Sequence, residues 1–356
     1  MKTRVLVLGG TSNVAQFVLQ RLQQYATLRV VDEDTVKEAE AVACTTRSQP
    51  FAPLPAGFIT ANSDSFSESK QTVTVYWQVD LMDLEALNKC IDDFRPTVVI
   101  NCTAISSPAV CQKEPERASA PRGLVALLDE LPWPIRFVHL STDFVYEGTK
   151  PQGTSYKEDD AVSSPDLSVY GVGKLRFDHF LQNRPNSTNL QALILRIANV
   201  VGPTAPLFPD RSAPKFMEWL HHQLFQLETA TPLKLWSDEF RSYLYVFDLV
   251  DLLIELLTIN LKEHTTLVNV GGIDALSRVE LANKYLAVTA THNPTAITAI
   301  SRHIAPTSRA QVDLGYPSPL NTKLNTLRLA NLLPHFIWTP TEKFLHEISC
   351  RFFIKE

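Results

Sequence analysis

Short apolar runs alternate with segments of helical periodicity along the N-terminal part of the chain. The first run, VLVLGG, has valine and leucine at consecutive positions, which is typical of a strand buried on both faces of a parallel sheet. The segment NVAQFVLQRLQQY follows, and its apolar side chains recur every three or four residues, as on one face of a helix. The run LRVVD then predicts a second strand, which completes one βαβ unit.

The same alternation continues to about residue 200. Further strands are predicted at TVTVYWQVD, TVVINCTA, IRFVHLSTD and QALILRIANVVG, and helices at DLEALNKCIDDF and RGLVALLDEL. Because strands that alternate with helices form parallel sheets, the pattern predicts an α/β fold with a doubly wound parallel sheet, a Rossmann fold. A smaller C-terminal substrate-binding lobe is expected beside it, where the alternation fades.

The pattern divides the chain into two predicted parts. Residues 1–200 are predicted to form the Rossmann domain, to which the glycine turn after the first strand assigns NAD(P) binding, and residues 241–275 are predicted to return to it. Within it, residues 37–71 are rich in Ser, Pro and Ala and longer than a crossover needs, so they predict a mobile surface insertion. Residues 201–240 and 276–356 are assigned to the substrate-binding lobe.

The turn after the first strand carries part of the glycine pattern that binds dinucleotides. In that pattern the first glycine makes the tight turn, the second lets the pyrophosphate approach the backbone, and the third allows helix and strand to pack closely. Gly9 takes the first place, but Ser12 and Ala15 stand at the other two. The helix start still offers free N–H groups, so we expect pyrophosphate binding to be weakened but retained.

Asp32, at the end of the predicted second strand, suggests a cofactor preference. An acidic side chain there accepts hydrogen bonds from the ribose hydroxyls and repels a 2′-phosphate. We therefore expect NAD(H) or NADP(H), with NAD(H) favoured. Two alternatives stay open: Asp32 simply caps a turn, or Arg29 or Arg47 reverses the local charge.

The segment YGVGK places Tyr170 and Lys174 four residues apart, on one face of a helix. An ammonium beside a phenol favours the phenolate and so predicts a lowered tyrosine pKa. Thr142, in LSTD, ends the preceding strand, where sites in α/β proteins form. The three residues together predict a catalytic group that donates a proton and binds a carbonyl oxygen.

Composition argues against several classes of partner. The 356 residues carry a net charge of −5 without basic clusters, which argues against a nucleic-acid partner. Five scattered cysteines without a C-x-x-C pair favour reduced thiols, and neither a signal peptide nor a membrane-spanning run is evident, so a cytoplasmic location without membrane partners is expected. No metal site is predicted, because His221 and His222 lack ligand spacing to other groups and are expected on a helix surface.

The chain resembles the extended short-chain dehydrogenase/reductase superfamily in an ordered set of motifs: GGTSNVA, VDLMD, VINCTA, LSTDFVYEG, YGVGK and LRIANVVGP. Within it the chain resembles the dTDP-4-dehydrorhamnose reductase (RmlD-like) branch, which also contains the regulatory beta subunit of methionine adenosyltransferase. The stretch STDFVYEGTKP is the most specific, and PSPLNTKLNTLRLANL resembles the C-terminal segment of the branch. The resemblance covers nearly the whole chain outside residues 37–71.

The resemblance implies a role for each matching residue. Tyr170 is the implied proton donor, Lys174 holds the nicotinamide ribose and tunes Tyr170, and Thr142 binds the substrate oxygen. The implied cofactor contacts fall into three groups: Gly9, Ser12, Asn13 and Val14 at the pyrophosphate, Asp80 and Leu81 at the adenine, and Cys102, Thr103 and Ala104 along the cofactor.

Two functions follow from the resemblance and stay open at this point. The first is an NAD(P)-dependent oxidoreductase that reduces a keto group of a small-molecule substrate, a nucleotide sugar, and the resemblance implies a homodimer. The second is a cofactor-binding regulatory subunit of a partner enzyme. The second gains weight because EPERASAPRGLVALL is shortened and lacks the asparagine that the family usually carries there for a proton relay.

Overall fold

The computed structural model of the protein describes residues 3–24, 39–61, 72–105, 107–118, 121–162, 164–185, 189–208, 214–226, 231–298 and 303–354. The strands in this part of the chain are, in order, β1 Thr3–Leu8, β2 Ala39–Thr46, β3 Phe58–Thr60, β4 Val73–Trp77, β5 Val98–Asn101, β6 Ile135–Thr142, β7 Leu190–Ile197, β8 Asn199–Val201, β9 Leu233–Trp236, β10 Phe240–Tyr245, β11 Thr265–Val270, β12 Ala275–Leu276, β13 Ile304–Thr307 and β14 Asn321–Thr322.

The helices alternate with the strands in the N-terminal part and cluster near the C-terminus. They are α1 Asn13–Gln24, α2 Leu84–Phe94, α3 Pro108–Lys113, α4 Arg122–Asp129, α5 Val169–Gln182, α6 Phe216–His221, α7 Val246–Thr258, α8 Arg278–His292, α9 Pro294–Thr298, α10 Leu327–Leu332 and α11 Thr341–Ile354.

Eight strands form one large parallel sheet in the order β3-β4-β2-β1-β5-β6-β7-β11. The chain first adds strands on one side of β1 and then, from β5 onward, on the other. The sheet therefore has its switch point between β1 and β5, and ligands of doubly wound sheets bind outside the carboxyl ends of the strands at such a point.

Helices cover both faces of this sheet, as a doubly wound fold requires. Alternate residues of β1 enter two cores: Val5 and Val7 pack with α1 and α7 on one face, and Leu6 and Leu8 pack with α2, α4 and α5 on the other. The α/β fold class predicted from the alternating pattern is confirmed.

The smaller sheets lie later in the chain. Strand β10 pairs with β8, β12 and β14, and β9 pairs with β13. Strands β9 and β10 share a separate core with α6, α8 and α11. The predicted strand QALILRIANVVG is thus divided, because β7 belongs to the large sheet and β8 belongs to the small one.

The structure corrects the predicted start of the insertion. Residues 37–71 are not one surface loop, because β2 runs through Ala39–Thr46 between β1 and β4 and β3 forms the sheet edge at Phe58–Thr60. On the side of β1 opposite β5, the pairing partner of β1 is therefore AEAVACTT. The predicted strand LRVVD, with Asp32, lies outside the described residues.

No helix in the described part of the chain combines the length and the apolar character that crossing a bilayer requires.

Candidate functional site

A cavity of about 940 Å³ opens at the switch point of the large sheet. Its walls come from the turn after β1, the ends of β2, β4 and β5, strand β6 and one face of α5. The residues that line it include Gly9, Thr11, Ser12, Thr45, Thr46, Arg47, Ser48, Asp80, Leu81, Asn101, Thr103, Ala104, Glu116, Pro121, His139, Tyr170, Lys174 and Phe177. A cavity at this position is where a doubly wound fold binds a dinucleotide.

Gly9 makes the turn from β1 into α1 in a conformation that other residues rarely adopt. Its φ is +76°, and a Cβ on it would lie 2.8 Å from Cγ2 of Thr103. The Gly9 N–H donates to Oγ1 of Thr45 at 3.2 Å, which ties the turn to the end of β2. The absence of a side chain leaves the backbone of the turn open to the cavity.

Ser12 stands directly before α1, where the helix begins at Asn13. Its N–H donates to the Gly9 carbonyl at 2.8 Å, and its Oγ is buried without a hydrogen-bond partner among the described residues. An unsatisfied hydroxyl beside the free N–H groups of a helix start suits a phosphate oxygen. The residues of this turn therefore fit the pyrophosphate of a nicotinamide dinucleotide.

The end of β2 faces the same cavity with Thr46, Arg47 and Ser48. Nη1 of Arg47 lies 3.8 Å from Oδ2 of Asp80, and both side chains are well exposed, so the guanidinium is only loosely held. In doubly wound folds the end of the second strand meets the adenosine ribose. Among the described residues, Arg47 is the charged side chain that directly follows β2. Asp32 lies outside the described residues.

The end of β5 supplies a polar wall. Oδ1 of Asn101 accepts from the N–H of Thr103 at 3.0 Å and from its hydroxyl at 2.6 Å. Nδ2 of Asn101 is buried and has no partner in the described part of the chain. The side chain of Thr103 is thereby fixed against Gly9, while the amide retains an unused donor.

Helix α5 carries the predicted catalytic pair. Ser168 caps the helix by accepting from the N–H of Gly171 at 3.1 Å, and a Cβ on Gly171 would lie 2.3 Å from the carbonyl oxygen of Phe144. Only glycine permits this close approach of the helix to the chain that follows β6. The approach brings Tyr170 beside Thr142, the last residue of β6, whose hydroxyl accepts from the Phe144 N–H at 3.2 Å.

Burial raises the pKa of Tyr170 to about 12, and the neighbouring Thr142 side chain only partly opposes this effect. The predicted lowering of this pKa is therefore wrong, because desolvation of the phenolate outweighs the groups that stabilise it. The consequence is chemical: Tyr170 keeps its proton throughout the neutral range and is placed to act as an acid.

Lys174 lies one turn after Tyr170 and donates from Nζ to the Leu140 carbonyl at 2.7 Å. Burial lowers the pKa of its ammonium to about 8, while the carboxylate of Asp178 acts in the opposite direction. The ammonium is thus held over the end of β6, inside the cavity, and retains most of its charge at neutral pH.

The structure brings most of the predicted cofactor residues together. Gly9, Ser12, Asp80, Leu81, Thr103, Ala104, Tyr170 and Lys174 line the cavity. Asn13, Val14 and Cys102 lie within two residues of lining positions but do not line the cavity themselves, and Thr142 lies three residues after the lining residue His139. Cys102 is buried in the core, and burial raises the pKa of its thiol to about 12, so the thiol is unreactive.

His139 lines the cavity from β6 and was not predicted as a site residue. The side chain is 2% exposed, and neither ring nitrogen has a hydrogen-bond partner among the described residues. Burial lowers its pKa well below the usual value, and the charge of Lys174 acts in the same direction. A polar residue inside the apolar run IRFVHLST was the available signal in the sequence.

The chain has measurable similarity to known proteins. The model of the NAD dependent epimerase/dehydratase family matches residues 5–271. A probable low-salt glycan biosynthesis reductase of Haloferax volcanii is 33% identical over 130 residues, which cover 35% of this chain and 40% of the relative. The methionine adenosyltransferase 2 subunit beta of Rattus norvegicus is 36% identical over 129 residues, which cover 35% of this chain and 36% of the relative. The matches thus span at most about two fifths of these relatives.

Solved structures with the same fold cover the full chain. UDP-glucose 4-epimerase of Thermotoga maritima superposes with a TM-score of 0.69 at 16% identity and covers 99% of both chains. The dTDP-4-dehydrorhamnose reductase of Bacillus anthracis, solved with NADP, gives a TM-score of 0.65 at 17% identity over 100% of this chain and 99% of that one. The family model spans most of this sequence, and the chain belongs to the NAD dependent epimerase/dehydratase family.

Proposed function

We propose that the protein is a nicotinamide-dependent reductase that acts on a keto group of a nucleotide-linked sugar. The observation that carries the proposal is the placement of Tyr170, Thr142 and Lys174 at the end of β6, next to the glycine turn and in or beside one cavity. The similarity to a glycan biosynthesis reductase agrees with a sugar substrate. Dimerisation and a cytoplasmic location remain predictions of the sequence.

The chemistry of the three side chains follows from their states. The bound nicotinamide would supply the hydride that reduces the keto carbon. Thr142 offers a hydroxyl to the carbonyl oxygen, and Tyr170, whose pKa is about 12, donates the proton that this oxygen needs. The Lys174 ammonium stabilises the resulting phenolate and offers N–H donors to the ribose hydroxyls.

For the cofactor we propose NADP(H) in place of the NAD(H) that Asp32 favours. Arg47 lies at the end of the strand paired with β1 and lines the cavity, and an arginine at this point accommodates a 2′-phosphate. Its pairing with Asp80 at 3.8 Å is loose enough to be exchanged for a phosphate.

For the sugar nucleotide we propose the arginines around Trp236 and Phe144 as the diphosphate contacts. The guanidinium of Arg278 lies 3.9 Å from the ring centre of Trp236, and that of Arg241 lies 5.2 Å from the ring centre of Phe144. The Phe144 ring in turn contacts Tyr170, with 5.9 Å between ring centres. Arg241 is paired with Glu239, so Arg278 is the stronger candidate.

A second function is favoured by one observation of the sequence. No asparagine occurs between Asn101 and Asn183, and the helix that would carry the relay residue of the family begins only at Arg122. The similarity to a methionine adenosyltransferase regulatory subunit points the same way. A regulatory subunit would bind the cofactor and a partner enzyme without turning over a sugar.

Assay of the purified protein with dTDP-4-keto-6-deoxy sugars separates the two functions. Oxidation of NADPH, lost in Tyr170→Phe and retained in the exposed control Lys89→Ala, supports the reductase. If the protein binds NADPH, oxidises none with any keto sugar and retains a stoichiometric partner enzyme from lysate, the reductase proposal is overturned and the regulatory function takes its place.

A further inference from the structure

Two histidines and a cysteine meet where the C-terminal helix α11 packs on α8. Their metal-binding atoms, one each from His292, His346 and Cys350, all lie within 4.8 Å of one another. His292 is the last residue of α8, whereas His346 and Cys350 are four residues apart on one face of α11. His292 and Cys350 are half-buried and His346 is exposed, so the cluster opens to solvent on one side.

The distances are close to those of a metal centre. Sγ of Cys350 lies 3.8 Å from Nε2 and 3.9 Å from Nδ1 of His346, and the rings of His292 and His346 are 4.9 Å apart. With Zn–N bonds of ~2.1 Å and a Zn–S bond of ~2.3 Å, tetrahedral ligand atoms lie about 3.4 to 3.6 Å from one another. A shift of about 1 Å in these partly exposed side chains is enough to reach that geometry.

A chain of hydroxyl groups fixes the proton on His292. The Thr289 hydroxyl donates to the Tyr285 carbonyl at 2.8 Å, so its single proton is used there. Ser349 lies 2.8 Å from the Thr289 oxygen and must supply the proton of that contact. Its own oxygen then accepts from Nε2 of His292, 3.1 Å away.

The result is that Nδ1 of His292 carries the free lone pair. A histidine that binds a metal commonly uses its other ring N–H in a bond of this kind, which orients the ring.

We propose that His292, His346 and Cys350 bind one zinc ion, with water as the fourth ligand, and that the ion fastens α11 to α8. Two imidazoles and one thiolate are a ligand set that zinc accepts, whereas Mg²⁺ and Ca²⁺ prefer oxygen. Binding replaces the Cys350 thiol proton by the metal and releases the proton to the buffer. The site is distant in sequence from the cavity residues and does not depend on the proposed reductase activity.

Zinc titration of chelator-treated protein without a histidine tag tests the proposal. We expect one ion per chain with a Kd of about 1 μM or below and the release of about one proton. Cobalt in place of zinc should show a thiolate charge-transfer band. Absence of saturable zinc binding up to about 1 mM, or a cobalt complex without this band, overturns the proposal.

Variants assign the ligands. We expect Cys350→Ser and His346→Ala each to weaken zinc binding at least about 100-fold, and Ser349→Ala, which removes the hydroxyl behind His292, to weaken it about 10- to 100-fold. The control His335→Ala removes an exposed histidine elsewhere and should bind as the wild type does. Circular dichroism confirms that each variant is folded. Equal affinity of Cys350→Ser and wild type contradicts the proposed ligand set.

Discussion

Oδ2 of Asp178 lies 2.9 Å from Nε of Arg196, and both side chains are almost fully buried. The pair joins α5 to β7 one turn after Lys174. Arg196 also donates from Nη1 to the Tyr146 hydroxyl at 3.0 Å, and this hydroxyl donates to Oδ1 of Asn269 at 2.7 Å. The helix that carries the catalytic pair is thereby fixed to two strands of the large sheet by a continuous buried network.

Replacement of Arg196 by methionine should destabilise the protein strongly. The substitution keeps most of the side-chain volume but leaves Asp178 buried without its partner, which typically costs about 3 to 5 kcal/mol in the free energy of unfolding. Urea unfolding measures the loss. Arg328→Met is the matched control, because its pair with Glu263 is exposed and typically contributes about 1 kcal/mol or less. Similar losses in both variants contradict the assigned role.

Tyr170→Phe should separate cofactor binding from turnover. The variant removes one hydroxyl and leaves the ring packed against Phe144, so NADPH affinity should persist while kcat falls about 10²- to 10⁴-fold, the usual contribution of general acid catalysis. Fluorescence titration and steady-state kinetics measure the two quantities. A kcat equal to that of the wild type removes Tyr170 from the proposed mechanism.

The charge of Lys174 should govern cofactor affinity at alkaline pH. Its pKa is lowered to about 8, so the ammonium is lost as the pH rises above that value. We expect NADPH affinity to fall about tenfold per pH unit above pH 8. Lys174→Met should bind weakly at every pH, with a flat profile over the same range.

Deprotonation of Lys174 should also affect the stability of the protein without cofactor. The free energy of unfolding should rise with pH, whereas cofactor affinity should fall. The unfolded lysine has the ordinary value of 10.5, so between about pH 8 and 10.5 the unfolded chain binds more protons than the folded one. The contribution of Lys174 to the free energy of unfolding therefore rises with pH in this window. Comparing urea unfolding of wild type and Lys174→Met at pH 7.5 and 9.5 isolates it.

Arg47→Ala should weaken NADPH binding about tenfold or more, since it removes a charge-assisted hydrogen bond to the 2′-phosphate, and should leave NADH binding nearly unchanged. Dissociation constants for both cofactors give the ratio directly. Lys89→Ala, an exposed cation on α2, controls for the loss of one positive charge. A wild-type protein that prefers NADH would instead restore the expectation drawn from Asp32.

The sequence predicted the strand and helix alternation well because each element carries its own periodicity. The strand that pairs with β1 was the exception. LRVVD, with its two valines, was the expected strand, and AEAVACTT, which is rich in alanine, is a segment that pairs with β1. Which segment pairs with β1 depends on contacts with residues distant in the sequence, and local hydrophobicity does not contain that information.

In the candidate site, too, the sequence predicted the features that depend on local spacing and missed those that depend on contacts between distant residues. Spacing alone placed Tyr170 and Lys174 on one helix face, and Thr142 was found at a strand end. The direction of the Tyr170 pKa shift was missed, because it depends on burial beneath other elements. No metal site was predicted from the sequence. The proposed ligands His346 and Cys350 have helical spacing in the sequence, but His292 reaches them only through the packing of α8 on α11.

The contact of Gly171 with Phe144 changes what the Tyr-Lys spacing means as a signature. A search for reductases by tyrosine and lysine four residues apart treats the three intervening positions as free. In this chain the first of them is not free, because any Cβ would press on the Phe144 carbonyl oxygen and force α5 away from the strand end. Substitution of Gly171 therefore requires a compensating change in the loop after β6. A relative without this glycine would keep the Tyr-Lys spacing, but the tyrosine would move away from the residue equivalent to Thr142.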